Sequence, residues 1–243
     1  MPNQYEFSSP PTAVNGIVYV GGAESGGTLY AVDEVSGNLL WTASVANGMD
    51  SSPAVSNDGV FVTYPCQAYK FDPLTGSTLW HYSGGCEGGG GRTPAYANGL
   101  LYMRDWTNPL GLIFDAETGT LTGNFTATPI PAFSMQTGFF LSSGTLSAID
   151  LSSHNILWTF TGDGSLVSAP IIINEYVVIG SSSGNVYVLD AATGSQVWSG
   201  NAGSPLAAPD ETGSQALTGF GAGEGYLVVP AGNTLTAWHL SGP

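Results

Sequence analysis

Short runs with apolar or aromatic side chains at alternate positions recur along this chain, and five of them end in an aspartate, at Asp33, Asp72, Asp115, Asp150 and Asp190. A period of two is the pattern of a β-strand packed against neighbours. In four of the five a tryptophan follows eight residues later, at Trp41, Trp80, Trp158 and Trp198. Aligned on Pro11, Pro53, Pro94, Pro131, Pro170 and Pro209, the chain divides into six units. The fifth is the most complete. Ser168, Ala169 and Pro170 open an inner strand, Tyr176 to Ile179 form a second, Asn185 to Asp190 a third, and Gln196 to Trp198 begin a fourth. One short-stranded unit repeated about every 40 residues predicts an all-β fold, a β-propeller of about six four-stranded blades.

Four of the five aspartates, Asp33, Asp72, Asp115 and Asp190, open a turn paired with a glycine four residues on: Gly37, Gly76, Gly119 and Gly194. The carboxylate accepts backbone N–H groups across the turn, and glycine takes a positive φ without a Cβ penalty. These aspartates are read as structural. The tryptophans Trp41, Trp80, Trp158 and Trp198 are read as plates packed between blades, with each indole N–H satisfied by a neighbouring blade. Three units deviate: Gly123 stands where a tryptophan is expected, His154 where a glycine is expected, and His239 at the aspartate position. The sixth unit carries an insertion, expected from Glu211 to Gly223 between its first and second strands, and lacks a fourth strand. An N-terminal strand at Tyr5 to Phe7 is a candidate to close the last blade and remove an exposed edge.

These units resemble the PQQ-like β-propeller repeat family, whose tryptophan docking motif runs alanine, x, aspartate, three residues, glycine, three residues, tryptophan. Here it reads Ala31, Asp33, Gly37, Trp41 in the first unit and Val188, Asp190, Gly194, Trp198 in the fifth. The resemblance implies the propeller fold over nearly the whole chain. That family holds quinone-dependent alcohol and glucose dehydrogenases, and also noncatalytic members such as the outer-membrane assembly lipoprotein that scaffolds protein complexes. The enzymes are expected to show eight blades, a vicinal disulfide over the quinone and a calcium site. This chain has about six units and no adjacent cysteines, so no cofactor and no metal are expected.

The 243 residues suffice for a single propeller domain spanning 1–243, which the apparently incomplete ends also fit as a piece excised from a longer chain. Charge narrows the partners. Lys70, Arg92 and Arg104 oppose 18 acidic residues, for a formal net charge of -15. Without clustered cations there is no counterion release to drive nucleic-acid binding, and anionic membrane surfaces repel the chain. No apolar run reaches the roughly 18 residues of a membrane span. Cys66 and Cys86 lie 20 residues apart and are either a disulfide or two separate thiols. The scarcity of lysine and the richness in Ser, Thr and Gly lean toward export, to an extracellular or periplasmic, cell-envelope location.

Candidate chemistry gathers around units two and three. Arg92 follows Gly88 to Gly91, and Arg104 adjoins Asp105 and Trp106. With Asp50, Tyr64, Gln67 and Glu87 these residues make a candidate ligand site. An arginine fork holds a carboxylate, and Trp106 or Tyr64 stacks on a sugar or other planar face, so a glycan or an acidic small molecule fits, alongside a protein partner. The competing structural reading pairs Arg92 with Asp50 or Glu87, and Arg104 with Asp105 or Glu117, and lets Trp106 fill the space left at Gly123. His81, His154 and His239 fall in different units, which argues against a zinc site or a serine triad. The catalytic residues, if any, are unknown, and Asp50 with Asp105, or Glu87 with Asp105, are the carboxylate pairs available. The expected function is a noncatalytic binding or scaffold module. The alternatives are a small lyase or hydrolase acting on a carbohydrate or other polar substrate, and a structural subunit of an oligomer or filament.

Overall fold

The computed structural model describes residues 7, 9–22, 27–45, 51–64, 66–86, 92–104, 110–209 and 219–239. They form two compact units, one of residues up to Phe125 and one from Thr126 onward.

The first unit holds three antiparallel four-stranded sheets. Sheet one is β1 (Thr12–Val14), β2 (Ile17–Gly22), β3 (Thr28–Asp33) and β4 (Leu39–Ser44). Sheet two is β5 (Ala54–Ser56), β6 (Gly59–Tyr64), β7 (Gln67–Phe71) and β8 (Thr78–Ser83). Sheet three is β9 (Ala95–Ala97), β10 (Leu100–Met103), β11 (Gly111–Asp115) and β12 (Leu121–Phe125). The second unit repeats the plan with β13 (Ala132–Ser134), β14 (Thr137–Ser142), β15 (Thr145–Asp150) and β16 (Ile156–Phe160). Its next sheet is β17 (Ile171–Ile173), β18 (Tyr176–Gly180), β19 (Asn185–Asp190) and β20 (Gln196–Asn201). The last is β21 (Gly221–Gly223), β22 (Tyr226–Ala231) and β23 (Thr234–His239), three-stranded among the described residues. The all-β, blade-by-blade reading of the sequence matches these sheets.

The second and third strands of each sheet carry the core. β6 is buried along its whole length, whereas β8 shows the half-exposed alternation of an outer strand. Each core cluster spans two consecutive sheets: Tyr19, Leu29 and Trp41 pack with Val60, Val62 and Phe71, and Phe139, Leu141 and Leu146 with Val177, Ile179 and Leu189. Short hairpins with positive φ join the first two strands, at Asn15 and Gly16 (53° and 79°) and at Asn98 and Gly99 (50° and 78°). Asparagine and glycine supply that conformation at least cost, and its twist suits the flanking strands. The same hairpin at Glu224 and Gly225 corrects the expected insertion. Gly221 to Gly223 are the first strand of the last sheet, so any extra chain lies before that strand and not after it. Tyr5 and Glu6 lie outside the described residues, while Phe7 sets its ring edge-on against Tyr30 of sheet one, 5.8 Å between centroids.

The aspartate turns act as expected. Asp33 Oδ1 accepts Ser36 N–H and the Ser36 hydroxyl, both at 2.7 Å, and Asp72, Asp115 and Asp190 do the same with Thr75, Thr118 and Thr193. His154 replaces the glycine of the fourth repeat by adopting φ 58°, and the turn closes all the same, with His154 N–H donating to the Asp150 carbonyl at 2.8 Å. Hydrogen bonds from Ser152 and Ser153 hold the Asp150 carboxyl down at about 2. A carboxylate whose folded pKa is depressed contributes stability above its ordinary pKa, and loses it as pH falls through the folded value. Asp150→Asn keeps an acceptor oxygen but removes the charge. The stability gap between wild type and this variant, followed by thermal unfolding, is therefore expected to be constant above about pH 5 and to close between about pH 4 and pH 2. A gap that persists unchanged at pH 2 would show that the charge does not support the turn.

Candidate functional site

The tryptophans show how one repeat seizes the next. Trp41 Nε1–H donates to the Pro73 carbonyl at 3.0 Å, Trp80 to Ala116 at 3.0 Å and Trp158 to Ala191 at 3.1 Å. Each acceptor is the residue after the next repeat's turn aspartate. The indole lies on that turn's glycine, since a Cβ at Gly76, Gly119 or Gly194 would come within 2.5, 2.7 or 2.6 Å of the ring of Trp41, Trp80 or Trp158. Trp198 instead meets Trp238 edge to face, with centroids 5.3 Å apart.

Around the candidate ligand residues, the sequence order Tyr64, Cys66, Gln67 marks the turn from β6 into β7. Cys66 adopts φ 63° and forms a disulfide with Cys86, their Cα atoms 5.5 Å apart. Gly84 N–H donates to the Cys66 carbonyl at 2.7 Å, so the loop after β8 is tied to this turn by backbone as well as by sulfur. Gln67 is buried and uses both ends of its amide. Its Nε2 donates to Ser83 Oγ at 3.0 Å and to the Cys86 carbonyl at 2.6 Å, while its Oε1 takes a hydrogen bond from His81 Nε2 at 2.6 Å. An acceptor at that distance assigns the proton to Nε2 of His81. The imidazole stacks on Tyr69 at 4.1 Å, and burial lowers its pKa. Tyr64 is 2% exposed within the core of the first two sheets, and burial pushes its hydroxyl pKa up, so it is neutral.

The backbone at Arg92 is pinned to sheet two. Its carbonyl accepts the hydroxyl of Thr63 on β6 and that of Ser51 at 3.4 Å, and Thr93 Oγ1 accepts Ser52 N–H at 3.4 Å. Arg104 directly follows β10 and is 6% exposed. Asp50, Glu87, Asp105 and Trp106 lie outside the described residues. Glu117 is not a partner of Arg104. Its Oε2 pairs with Lys70 Nζ at 2.6 Å, an ammonium that sheet two buries almost completely. His81 and His239 lie in strands of two different sheets and His154 in the turn between β15 and β16, and among the described residues no group of three or more His, Cys, Asp or Glu could hold a metal ion.

Sequence reasoning missed two grooves. One in the first unit, about 630 Å³, is lined by Asn15, Ser56, Asp58, Lys70, Leu79 and Glu117. Its signal was a lone lysine between Tyr69 and Phe71 in a strand of otherwise core residues. The other, about 830 Å³ in the second unit, is lined by Tyr176, Trp198, Tyr226, Trp238 and His239. No helix of the described residues is long and apolar enough to cross a membrane.

Comparison with known proteins places these features in a family. A tetrathionate hydrolase of Acidithiobacillus ferrooxidans is 25% identical over 195 residues, 79% of this chain and 28% of that protein. An outer membrane protein assembly factor BamB of Moranella endobia is 26% identical over 249 residues, 97% of this chain and 54% of that one. The chain thus spans about a quarter to about half the length of these relatives. Among solved structures, BamB from Moraxella catarrhalis is similar in fold, with a TM-score of 0.66 at 18% identity, covering 97% of this chain and 73% of that chain. The PQQ_2 family model, described as outer membrane protein assembly factor BamB, matches residues 2–106 and 111–241. A chain of docked tryptophans and aspartate turns matched over nearly its whole length belongs to this PQQ_2 family of β-propellers.

Proposed function

We propose that the chain is a noncatalytic binding or scaffold module of an extracellular or cell-envelope protein, acting on a protein partner. The observation that carries this reading is the family match over residues 2–106 and 111–241, to a family described by an assembly factor. The Cys66–Cys86 disulfide supports an oxidising location outside the cytosol. The repeat residues whose contacts are described above, the turn aspartates, the docked tryptophans and Gln67, all serve the fold.

A second reading has its own support. The similarity to a tetrathionate hydrolase over 79% of the chain draws attention to Arg92 and Arg104, two of three cations in an acidic protein. With Asp50, Glu87, Asp105 and Trp106, they make a proposed site for an acidic small molecule, the class to which tetrathionate belongs, while Tyr64 and Gln67 of the same candidate group stay in the core. Guanidinium forks suit such an anion.

One experiment separates the two. Cross-linking of the protein in envelopes of its own cells, followed by mass spectrometry, is expected to recover a stoichiometric protein partner, and the purified chain is expected to leave tetrathionate unchanged. Sustained turnover at about 1 s⁻¹ or faster, lost in Arg104→Met, would sink the scaffold reading and install the enzyme.

A further inference from the structure

The outer strand of the first five repeats alternates in the same way past its tryptophan position. One residue on, Thr42, His81, Asn124, Thr159 and Ser199 are all exposed. Two residues further the chain faces water again, with a hydroxyl in four repeats: Ser44, Ser83, Thr126 and Thr161 are exposed too. The hydroxyl is thus a habit of the repeat. Only the third repeat sets an asparagine before it, in the order Asn124, Phe125, Thr126, and no other asparagine of the chain stands two residues before a serine or threonine. Asn124 lies in β12, the strand that ends sheet three, where it pairs with Leu112. Phe125 turns the other way. It is 8% exposed, and its ring meets Tyr102 edge-on with centroids 5.5 Å apart.

We propose that Asn124 is an N-glycan acceptor, modified outside the cytosol by an oligosaccharide carried on a lipid phosphate. This rests on the extracellular or cell-envelope location proposed above, and not on whether the chain is a scaffold or an enzyme. An asparagine, any residue but proline, and then serine or threonine is the triplet that such transferases read. The side-chain amide supplies the nitrogen that reacts, and the hydroxyl two residues on completes the recognised triplet. In the transfer, Asn124 Nδ2 forms a C–N bond to the anomeric carbon of the sugar. The bond from that carbon to the phosphate oxygen breaks, the lipid phosphate leaves with the electron pair, and one amide proton passes to a base of the transferase. Nothing is oxidised or reduced. The folded strand accommodates the product, because the modified side chain is exposed while its neighbour Phe125 stays packed. A bulky, hydrated group on the strand that ends a sheet also obstructs edge-to-edge pairing with another chain.

The test takes the protein from its own cells, separates envelope from cytosol, and reads the peptide containing Asn124 by mass spectrometry with fragmentation. That peptide is expected to carry a ladder of sugar masses ending on Asn124. Asn124→Gln and Thr126→Val are each expected to abolish the ladder, and Thr126→Ser, which restores the hydroxyl, to keep it. Thr159→Asn is the converse variant. It repeats the triplet at the equivalent exposed position of the fourth repeat, where Thr161 already supplies the hydroxyl, and is expected to add a second glycan. A bare Asn124 peptide from protein recovered in the envelope would overturn the site and leave the location standing. The same ladder surviving in Asn124→Gln would place the sugar on another residue and overturn the assignment. Bare protein recovered only from the cytosol would overturn the site and the envelope location together.

Discussion

Trp41→Ala is expected to lower the free energy of unfolding by about 3–5 kcal/mol, the cost of emptying a large aromatic from a closed core. The side chain is 8% exposed, with Tyr19 at 5.8 Å on one side and the Gly76 turn on the other. Alanine removes the contact between sheets one and two and leaves a void that the rigid turn cannot collapse to fill. Its lost hydrogen bond matters less, because the Pro73 carbonyl also accepts the Tyr19 hydroxyl at 3.1 Å. Gly76→Ala interrogates the same contact from below, since its Cβ would lie 2.5 Å from the indole and its φ is 70°. Trp198→Ala is the internal comparison. That ring is half-buried and faces Trp238 rather than a turn glycine, so its loss is expected to be smaller. Denaturant unfolding of the three variants decides the matter. A loss below about 1 kcal/mol for Trp41→Ala would mean that the sheets hold each other without the indole.

The second large effect is expected at the disulfide. Closing a loop with a sequence separation of 20 residues restricts the unfolded chain by about 3 kcal/mol in the chain-entropy account. The double variant Cys66→Ala with Cys86→Ala should show that loss as a lower denaturant midpoint. The native loop also has two other ties, Gly84 N–H to the Cys66 carbonyl and Gln67 Nε2 to the Cys86 carbonyl. These predict that the double variant still folds. An unchanged midpoint would show that the bridge does not restrict the unfolded chain as that account requires. Intact-mass measurement after alkylation without reductant checks the premise, because two reactive thiols in the denatured wild type would contradict the bridge.

Some of this was legible from residues, because it is local chemistry repeated. An aspartate capped by the hydroxyl residue three positions on, a glycine at positive φ and a tryptophan on the next strand each leave a mark at fixed spacing, so turns and sheets could be placed without coordinates. The first strand of the last sheet could not, since Gly221, Ala222 and Gly223 offer no alternation, and only the hairpin at Glu224 and Gly225 betrays it. Gln67 was misleading in a different way. Polar residues in strands suggest a binding surface, yet here the amide spends its donors and acceptor on Ser83, Cys86 and the imidazole. Lys70 was invisible as a core residue because its partner, Glu117, comes from a turn 47 residues further on. The candidate ligand residues depended on loops of glycine, asparagine and aspartate, where no period governs which side chains converge.

The contacts of the tryptophans all run one way, from an earlier repeat to a later one. A chain emerging from its N-terminus therefore completes sheet one with Trp41 bare, and covers it only when the Pro73 turn has been made. Sheet two then waits with Trp80 for Ala116. Synthesis or export that halts within the first two repeats leaves that indole uncovered together with the core residues beside it, Tyr19 and Leu29 of sheet one among them, a recognisable signal for a chaperone. Once Phe125 has emerged, Gly123 at the repeat position means that, among the described residues, no repeat indole waits for the next turn. The first three sheets thus offer a natural pause point in vectorial folding, because no repeat tryptophan of theirs is then waiting for a later turn.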